Sequence, residues 1–328
     1  GGTYTIVYQI CDVINPTNCD SATVTIDVAF TPTPTSRISF TGSAAVTTPG
    51  TILSYNFLSI TISTAGLTIL TGNLLCNLLN LGAGTTSTPI NGSGGTRTIT
   101  TSGGITMSGT GSTISGTVNI IVTGGTITGS TVATMQNNLT LNGNITFASG
   151  TAFFYNSGTL TYTPASGTIT TTGSTLGING SVTLNTIGVT WNAISWTAGT
   201  ITLSTDLTAT GVISSSNVTS TINGGSLYAN GGITYSALNA GSSIAVFSGT
   251  STIRFEGTGS WTSTQQGTFR NNVIINPTSS TFTIFVYYAV GTITYSNTNG
   301  GKVTSAQVVL GYHTAISSVN LSRSATFN

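Results

Sequence analysis

VNIIVTGGTITGS (118–130), NLTLNGNITFASG (138–150), GTLTYTPASGTITTTG (158–173), GSVTLNTIGVTW (180–191), GTITLSTDLTATG (199–211) and STINGGSLYANGG (220–232) repeat one pattern six times. Each segment alternates an aliphatic residue with Thr, Asn or Ser for a few positions, then stops at Gly or Asn. Period-two alternation describes a strand with one buried face. Leu139, Leu160, Val182 and Ile201 open similar strands at steps of 21, 22 and 19 residues. A second series, Ile127, Ile145, Ile169, Val189, Leu207 and Leu227, steps by 18, 24, 20, 18 and 20. Two strand series recurring about every 20 residues describe stacked rungs, the sequence mark of a solenoid. The expected fold is all-β: a right-handed parallel β-solenoid (parallel β-helix). Inward positions such as Leu141, Leu160, Leu184 and Leu203 are expected to stack into aliphatic ladders.

Composition narrows the class. The chain has 328 residues, 42 of them Gly; 38% are hydrophobic and only 3% charged, for a net charge of +1. An ordinary soluble domain is about 25% charged. The most apolar run, Leu67 to Leu81, is interrupted by Thr68, Thr71, Gly72, Asn73, Asn77 and Asn80. A spanning helix needs about 20 nearly unbroken apolar residues, so membrane insertion by a helix is excluded. An outer-membrane barrel also alternates, but its strands run to about 10 residues, whereas most strands here meet a Gly sooner. The weak net charge offers no footprint for nucleic acid or anionic lipid. The chain opens at Gly1-Gly2-Thr3 with no signal peptide, as expected of a processed product or a fragment of something longer.

Residues 1–30 differ from the rest. TYTIVYQIC alternates, DVINPTNC turns, and DSATVTIDVAF alternates again, which predicts a β-hairpin. Cys11 and Cys19 stand at its inner ends, where a disulfide would close it. A redox or metal pair is the other use of two cysteines, but the eight-residue step and the absence of a nearby His suit metal poorly. A disulfide implies an oxidising compartment outside the cytoplasm.

The stretch GTYTIVYQICDVINPTNCDSATVTIDV (2–28) resembles the last two strands of immunoglobulin-like repeats in giant surface proteins of Bacteroidota, which include gliding and type IX secretion adhesins. The likeness lies in Y-x-I-C-D…N-P-x-N-C-D-x-A-x-V-x-V and covers fewer than 30 residues. It departs from the family in lacking the earlier strands of such a sandwich. Two strands alone are marginal in water, so the hairpin is expected either to be the end of an upstream immunoglobulin-like domain or to find a partner through Tyr4, Ile6, Tyr8, Ile10, Val24, Ile26 and Val28. Asp20-Ser21-Ala22 resembles the O-glycosylation sequon of Bacteroidota, making Ser21 a candidate acceptor.

Thr31 to Ser36 reads TPTPTS, a stiff Pro/Thr linker. The solenoid is expected over 37–300. Ile38, Phe40, Leu58 and Ile60 return as Ile253, Phe255, Val273 and Ile275, all at one offset. Similar motifs occur in Bacteroidota solenoid surface proteins. This repeat leaves open one long coil or two units joined near Ser251. Residues 85–117 are rich in Gly, Ser and Thr, yet Ile90, Ile99, Ile105, Met107 and Ile114 keep returning, which implies small rungs rather than linker. After Tyr295 the alternation departs from rung spacing. Residues 301–328 are therefore expected to form a cap or edge strands, since solenoid ends expose core and backbone.

Candidate chemistry is sparse. The acids are Asp12, Asp20, Asp27, Asp206 and Glu256. Glycan-cleaving β-helices need clustered carboxylates, whereas here three lie in the hairpin and the other two are rungs apart. Arg254 and Glu256 alternate on one strand and are expected to pair. His313 is the only His, and no Ser/His/Asp spacing surrounds it. Cys76, in LLCNLL, reads as a buried apolar residue. The Gly runs lack the Lys-Ser of a phosphate loop. Trp191, Trp196, Trp261, Phe153, Phe154 and Tyr155 are read as a core stack across neighbouring rungs, with a sugar-stacking face as the alternative. Asn91, Asn138, Asn144, Asn179, Asn217 and Asn320 head N-x-S/T triplets, and a structural role in turns is expected of them. No catalytic residue, cofactor site or metal site is predicted, and the chain is not expected to be an enzyme. The expected function is structural: an extracellular or cell-surface fibre or adhesin subunit that self-assembles head to tail by strand addition. Surface glycans or host cells would be further partners. The alternative is a carbohydrate-binding or carbohydrate-cleaving β-helix.

Overall fold

The computed structural model describes the chain from Gly2 to Val308. It leaves out residues 12–16, 18, 29–36, 41–45, 48–55, 63–67, 83–86, 93–94, 109–112, 131–132, 164–166, 217–218, 236–244, 264–266, 279–281, 287, 290–292, 297 and 301–302. Every element among the described residues is a strand. The strands form three parallel sheets of 15, 13 and 6 strands and one separate antiparallel pair. This is the expected β-solenoid, with about 21 residues per turn.

The antiparallel pair is the N-terminal hairpin, Gly2–Cys11 against Cys19–Val28. The linker at 31–36 lies outside the described residues. The coil begins with Arg37–Phe40 on the first sheet and Val46–Thr47 on the second. Its pairing runs past Ser251 without a break: Leu227 faces Ile253, and Ile233 faces Trp261. The coil is thus one run and not two joined units. The Gly/Ser/Thr-rich stretch forms genuine rungs, with strands Ser87–Gly92, Thr98–Thr101, Gly104–Met107 and Thr113–Ser115. The tail also contributes a rung strand: Val303–Val308 pairs with Phe282–Val286. A bulge explains why this was hidden. Val303 faces Phe282 but Ser305 faces Thr283, so one extra residue throws the alternation out of phase.

Early rungs bend where later rungs turn. The long strand Asn119–Thr128 covers two halves of the first sheet, and its register shifts between Val122 and Gly124. Gly125 makes the bend, at φ 87° with no room for a side chain: a Cβ there would lie 2.1 Å from the Gly103 carbonyl carbon. After Ile169–Thr170 the second half becomes a sheet of its own, starting at Thr190–Trp191. The Thr171 hydroxyl bridges the two by donating to the Thr190 carbonyl at 2.5 Å. At this rung a turn closed by Val189 N–H to the Thr186 carbonyl, 3.0 Å, takes the place of the continuous bent strand.

Packing follows the ladders. Leu74, Ile99, Ile120, Leu139, Leu160, Leu184 and Leu203 stack in one inward column of the first sheet, and all are buried. Leu141 does not join them. It faces Tyr162, one pleat away, in the column of Val122 and Thr101. Likewise Ile127 faces Phe147 and not Ile145, whereas Ile145 does face Ile169 as its series expects. A two-residue slip keeps every side chain on its own face, so alternation cannot detect it. The second sheet stacks Phe153, Leu176, Ile194, Ile213, Ile233, Trp261 and Ile284. The third stacks Leu207, Leu227, Ile253, Val273 and Ile293. Burying each such side chain contributes about 1.5–3 kcal/mol, shared between neighbouring rungs as in other solenoids.

Candidate functional site

Aromatic residues fill the widest parts of the core. Trp191, Trp196 and Trp261 have no exposed surface. The Phe147 ring lies edge-on to Trp191 at 5.0 Å and to Phe153 at 5.6 Å between centroids. Trp196 meets Phe247 at 5.4 Å, and Phe255 stacks on Trp261 at 5.4 Å. Phe153 and Tyr155 point inward with them, while Phe154 faces outward and is half-buried. Trp191 and Trp196 therefore reach across about two turns of the coil from inside and Trp261 packs within its own turn, and a sugar-stacking face built on them is ruled out.

Buried polar groups are few and mostly bonded. The Tyr155 hydroxyl donates to the Asn137 carbonyl at 2.5 Å, and Asn137 Nδ2 donates to the Val118 carbonyl at 2.9 Å. Burial pushes the Tyr155 phenol well above its ordinary range. Ser215 and Ser220 share a buried hydrogen bond of 2.7 Å. Cys76 is a buried free thiol, as expected. Burial first pushes its pKa up to about 11, against smaller opposing hydrogen bonds from Thr101 and Ile60.

The charged candidates do not converge. Arg254 Nε donates to Glu256 Oε1 at 2.8 Å, and its guanidinium lies 5.1 Å from the Tyr228 ring centroid. Asp206 is exposed, and its Oδ1 accepts the Ser226 N–H at 2.7 Å. The register Leu207–Leu227–Ile253 sets Asp206 and Glu256 two rungs apart, at opposite edges of the third sheet. Strand geometry makes their separation roughly 16 Å, beyond the spacing of a glycosidase carboxylate pair, about 5–9.5 Å. Among the described residues, no three His, Cys, Asp or Glu side chains gather as metal ligands would. No helix there is long and apolar enough to cross a membrane. Asp12 and His313 lie outside the described residues.

In the hairpin, Cys11 faces Cys19 and the two are disulfide-bonded. The register sets Tyr4 opposite Ile26, Ile6 opposite Val24 and Val28 opposite Gly2. Tyr8 stands across from Ala22 and Ile10 across from Asp20. The side chains of these seven expected assembly residues lie outside the described ones. Ser21 is exposed.

Asparagine has a role that composition only hinted at. Asn91, Asn138 and Asn144 each accept, through Oδ1, the backbone N–H of a Thr one rung on: Thr117 at 3.2 Å, Thr159 at 3.0 Å and Thr168 at 3.0 Å. Asn223 does the same for Thr250 at 3.1 Å. Asn179 accepts from the Thr197 hydroxyl at 2.9 Å. These amides tie rung to rung where the ladders stop at a turn. The signal was present as a Gly-Thr pair one rung after the Asn, at 116–117, 158–159, 167–168 and 249–250. Asn217 and Asn320 lie outside the described residues. No family model, curated protein or solved structure matches this chain.

Proposed function

We propose that this chain is a structural, rod-forming segment of an extracellular fibre or adhesin. The supporting observation is the continuous second sheet, whose 13 strands run from Val46–Thr47 to Val303–Val308. Twelve strand spacings extend roughly 58 Å along the axis. Ladders of backbone bonds and a closely packed core stiffen such a rod without charge or cofactor. The Cys11–Cys19 disulfide is in keeping with a compartment outside the cytoplasm. The resemblance of residues 2–28 to adhesin repeats points the same way.

Assembly follows from unpartnered edges. The hairpin is a two-stranded sheet of its own, and Arg37–Phe40 pairs on the described path with Asn56–Ile62 alone. Strand addition to a coil edge of a second copy would bury both. A heterologous contact of this kind propagates as a filament. Electron microscopy of the purified chain, with and without residues 1–30, tests the reading. Filaments are expected from the intact chain at high concentration, and single rods after the deletion; single rods from the intact chain would refute assembly through the hairpin. Filaments that persist unchanged would refute the hairpin as donor. A compact particle with no rod shape would refute the structural reading itself.

A further inference from the structure

The outer sides of the three sheets differ in chemistry. On the third, the outward column runs Thr208, Tyr228, Arg254 and Ile274, mixing a ring, a cation and an aliphatic. On the second, Thr134, Phe154 and Gly177 follow one another. Hydroxyls there bond to each other: Thr134 to Thr113 at 3.3 Å, and Thr262 to Thr234 at 3.3 Å. The first sheet is more uniform over residues 139–203, although further along it the Thr221 and Ser248 hydroxyls bond at 3.4 Å. Thr140 stands opposite Thr161, Thr159 opposite Thr183, and Thr183 opposite Thr202. Among the described residues, these five hydroxyls have no hydrogen-bond partner.

Strand geometry turns these threonines into a lattice. Neighbours along the axis are about 4.8 Å apart, and Thr159 and Thr161, alternate residues of one strand, about 6.6 Å apart. A β-branched side chain is stiff at χ1, so the backbone fixes where each methyl and hydroxyl sits. We infer that this threonine face binds ice. Oxygen atoms in the surface planes of hexagonal ice repeat at distances close to these two spacings. Hydroxyls on such a grid anchor waters at lattice positions, and the methyls between them hold others in place. The order is built into the ladder before contact, so little freedom is lost on binding.

The composition of the face favours ice over other flat partners. The columns Thr100–Ile121–Thr140–Thr161 and Thr159–Thr183–Thr202–Asn223 carry neither charge nor aromatic ring. An anionic surface calls for cations. A crystalline glycan calls for exposed rings to stack on its sugars, and all three tryptophans of this chain are inside. The inference does not depend on filament formation, because a single rod presents the same face.

The test uses the full chain, fluorescently labelled, in ice-affinity partitioning on a cold finger with an inert marker protein. Thermal hysteresis is measured in parallel. Thr183→Tyr lies at the centre of the face, and Thr208→Tyr is the matched change on the third sheet. The intact chain and Thr208→Tyr are expected to enter ice several-fold above the marker, and Thr183→Tyr to fall to the marker level. Circular dichroism melts establish that each variant is folded. Should Thr183→Tyr fail to fold, Thr183→Ser removes one methyl and is expected to lower partitioning measurably. The inference is overturned if the intact chain is excluded from ice like the marker. It is equally overturned if Thr208→Tyr loses as much as Thr183→Tyr, or if crystalline cellulose captures the chain while ice does not.

Discussion

Replacing Leu184 with Asp should disrupt the coil, while the same change at Thr183 should not. Leu184 is 1% exposed, between Leu160 and Leu203 in the aliphatic column. Its neighbour Thr183 faces outward, opposite Thr159 and Thr202. Losing the leucine packing costs about 2–5 kcal/mol. A carboxyl in that site is desolvated, and full burial raises a carboxylate pKa by about 3–5 units. At about 1.36 kcal/mol per unit, a carboxyl whose pKa is raised to about 7–9 adds roughly 4 kcal/mol at pH 7 and up to about 7 kcal/mol by pH 9. The sign sets the pH dependence. The folded pKa lies above the unfolded value, so this penalty is absent below about pH 4 and grows as pH rises towards the folded pKa. Thr183→Asp should stay within about 0.5–1 kcal/mol of the parent. Hydrogen exchange resolved by peptide is the suitable assay, because a long repeat array need not unfold in two states. Fast exchange is expected across the rungs that flank 184, more so at pH 8 than at pH 4. Equal effects from the two substitutions, or a Leu184→Asp defect that does not grow with pH, would refute the register.

Further outcomes follow from the same geometry. Peptide mapping without reduction should recover Cys11 joined to Cys19 and Cys76 unpaired; a peptide linked through Cys76 would contradict this. The Cys76 thiol, buried and with a pKa pushed up to about 11, should resist alkylation at pH 8 until denaturant is added. Gly125→Ala should cost more than the roughly 1–2 kcal/mol that a left-handed backbone alone imposes on an L-residue, because its Cβ meets the Gly103 backbone; a melting temperature unchanged from the parent would speak against the bend. Trp191→Ala should destabilise by about 3–5 kcal/mol, read as early loss of near-ultraviolet ellipticity on heating.

Much of this architecture was legible in the sequence because alternation and recurrence are local properties. Val182-Thr-Leu-Asn declares which side chains are buried, and steps near 20 residues declare that strands stack. The hairpin was legible too, since Cys11 and Cys19 sit at matching distances from its turn. Other features required the fold. Period two cannot tell a ladder from the same ladder slipped by two residues, so only tertiary pairing places Leu141 on Tyr162 instead of Leu160. One extra residue at a bulge hid the rung strand Val303–Val308. Whether a rung bends at glycines or breaks at a turn decides between two faces and three, and that depends on how closely Gly125 approaches Gly103 one rung away. The asparagine ties needed it as well, because Asn138 and Thr159 are distant in sequence and meet only when one turn of the coil has closed. The outward threonines were visible as letters, but their lattice exists only because parallel strands bring them into register.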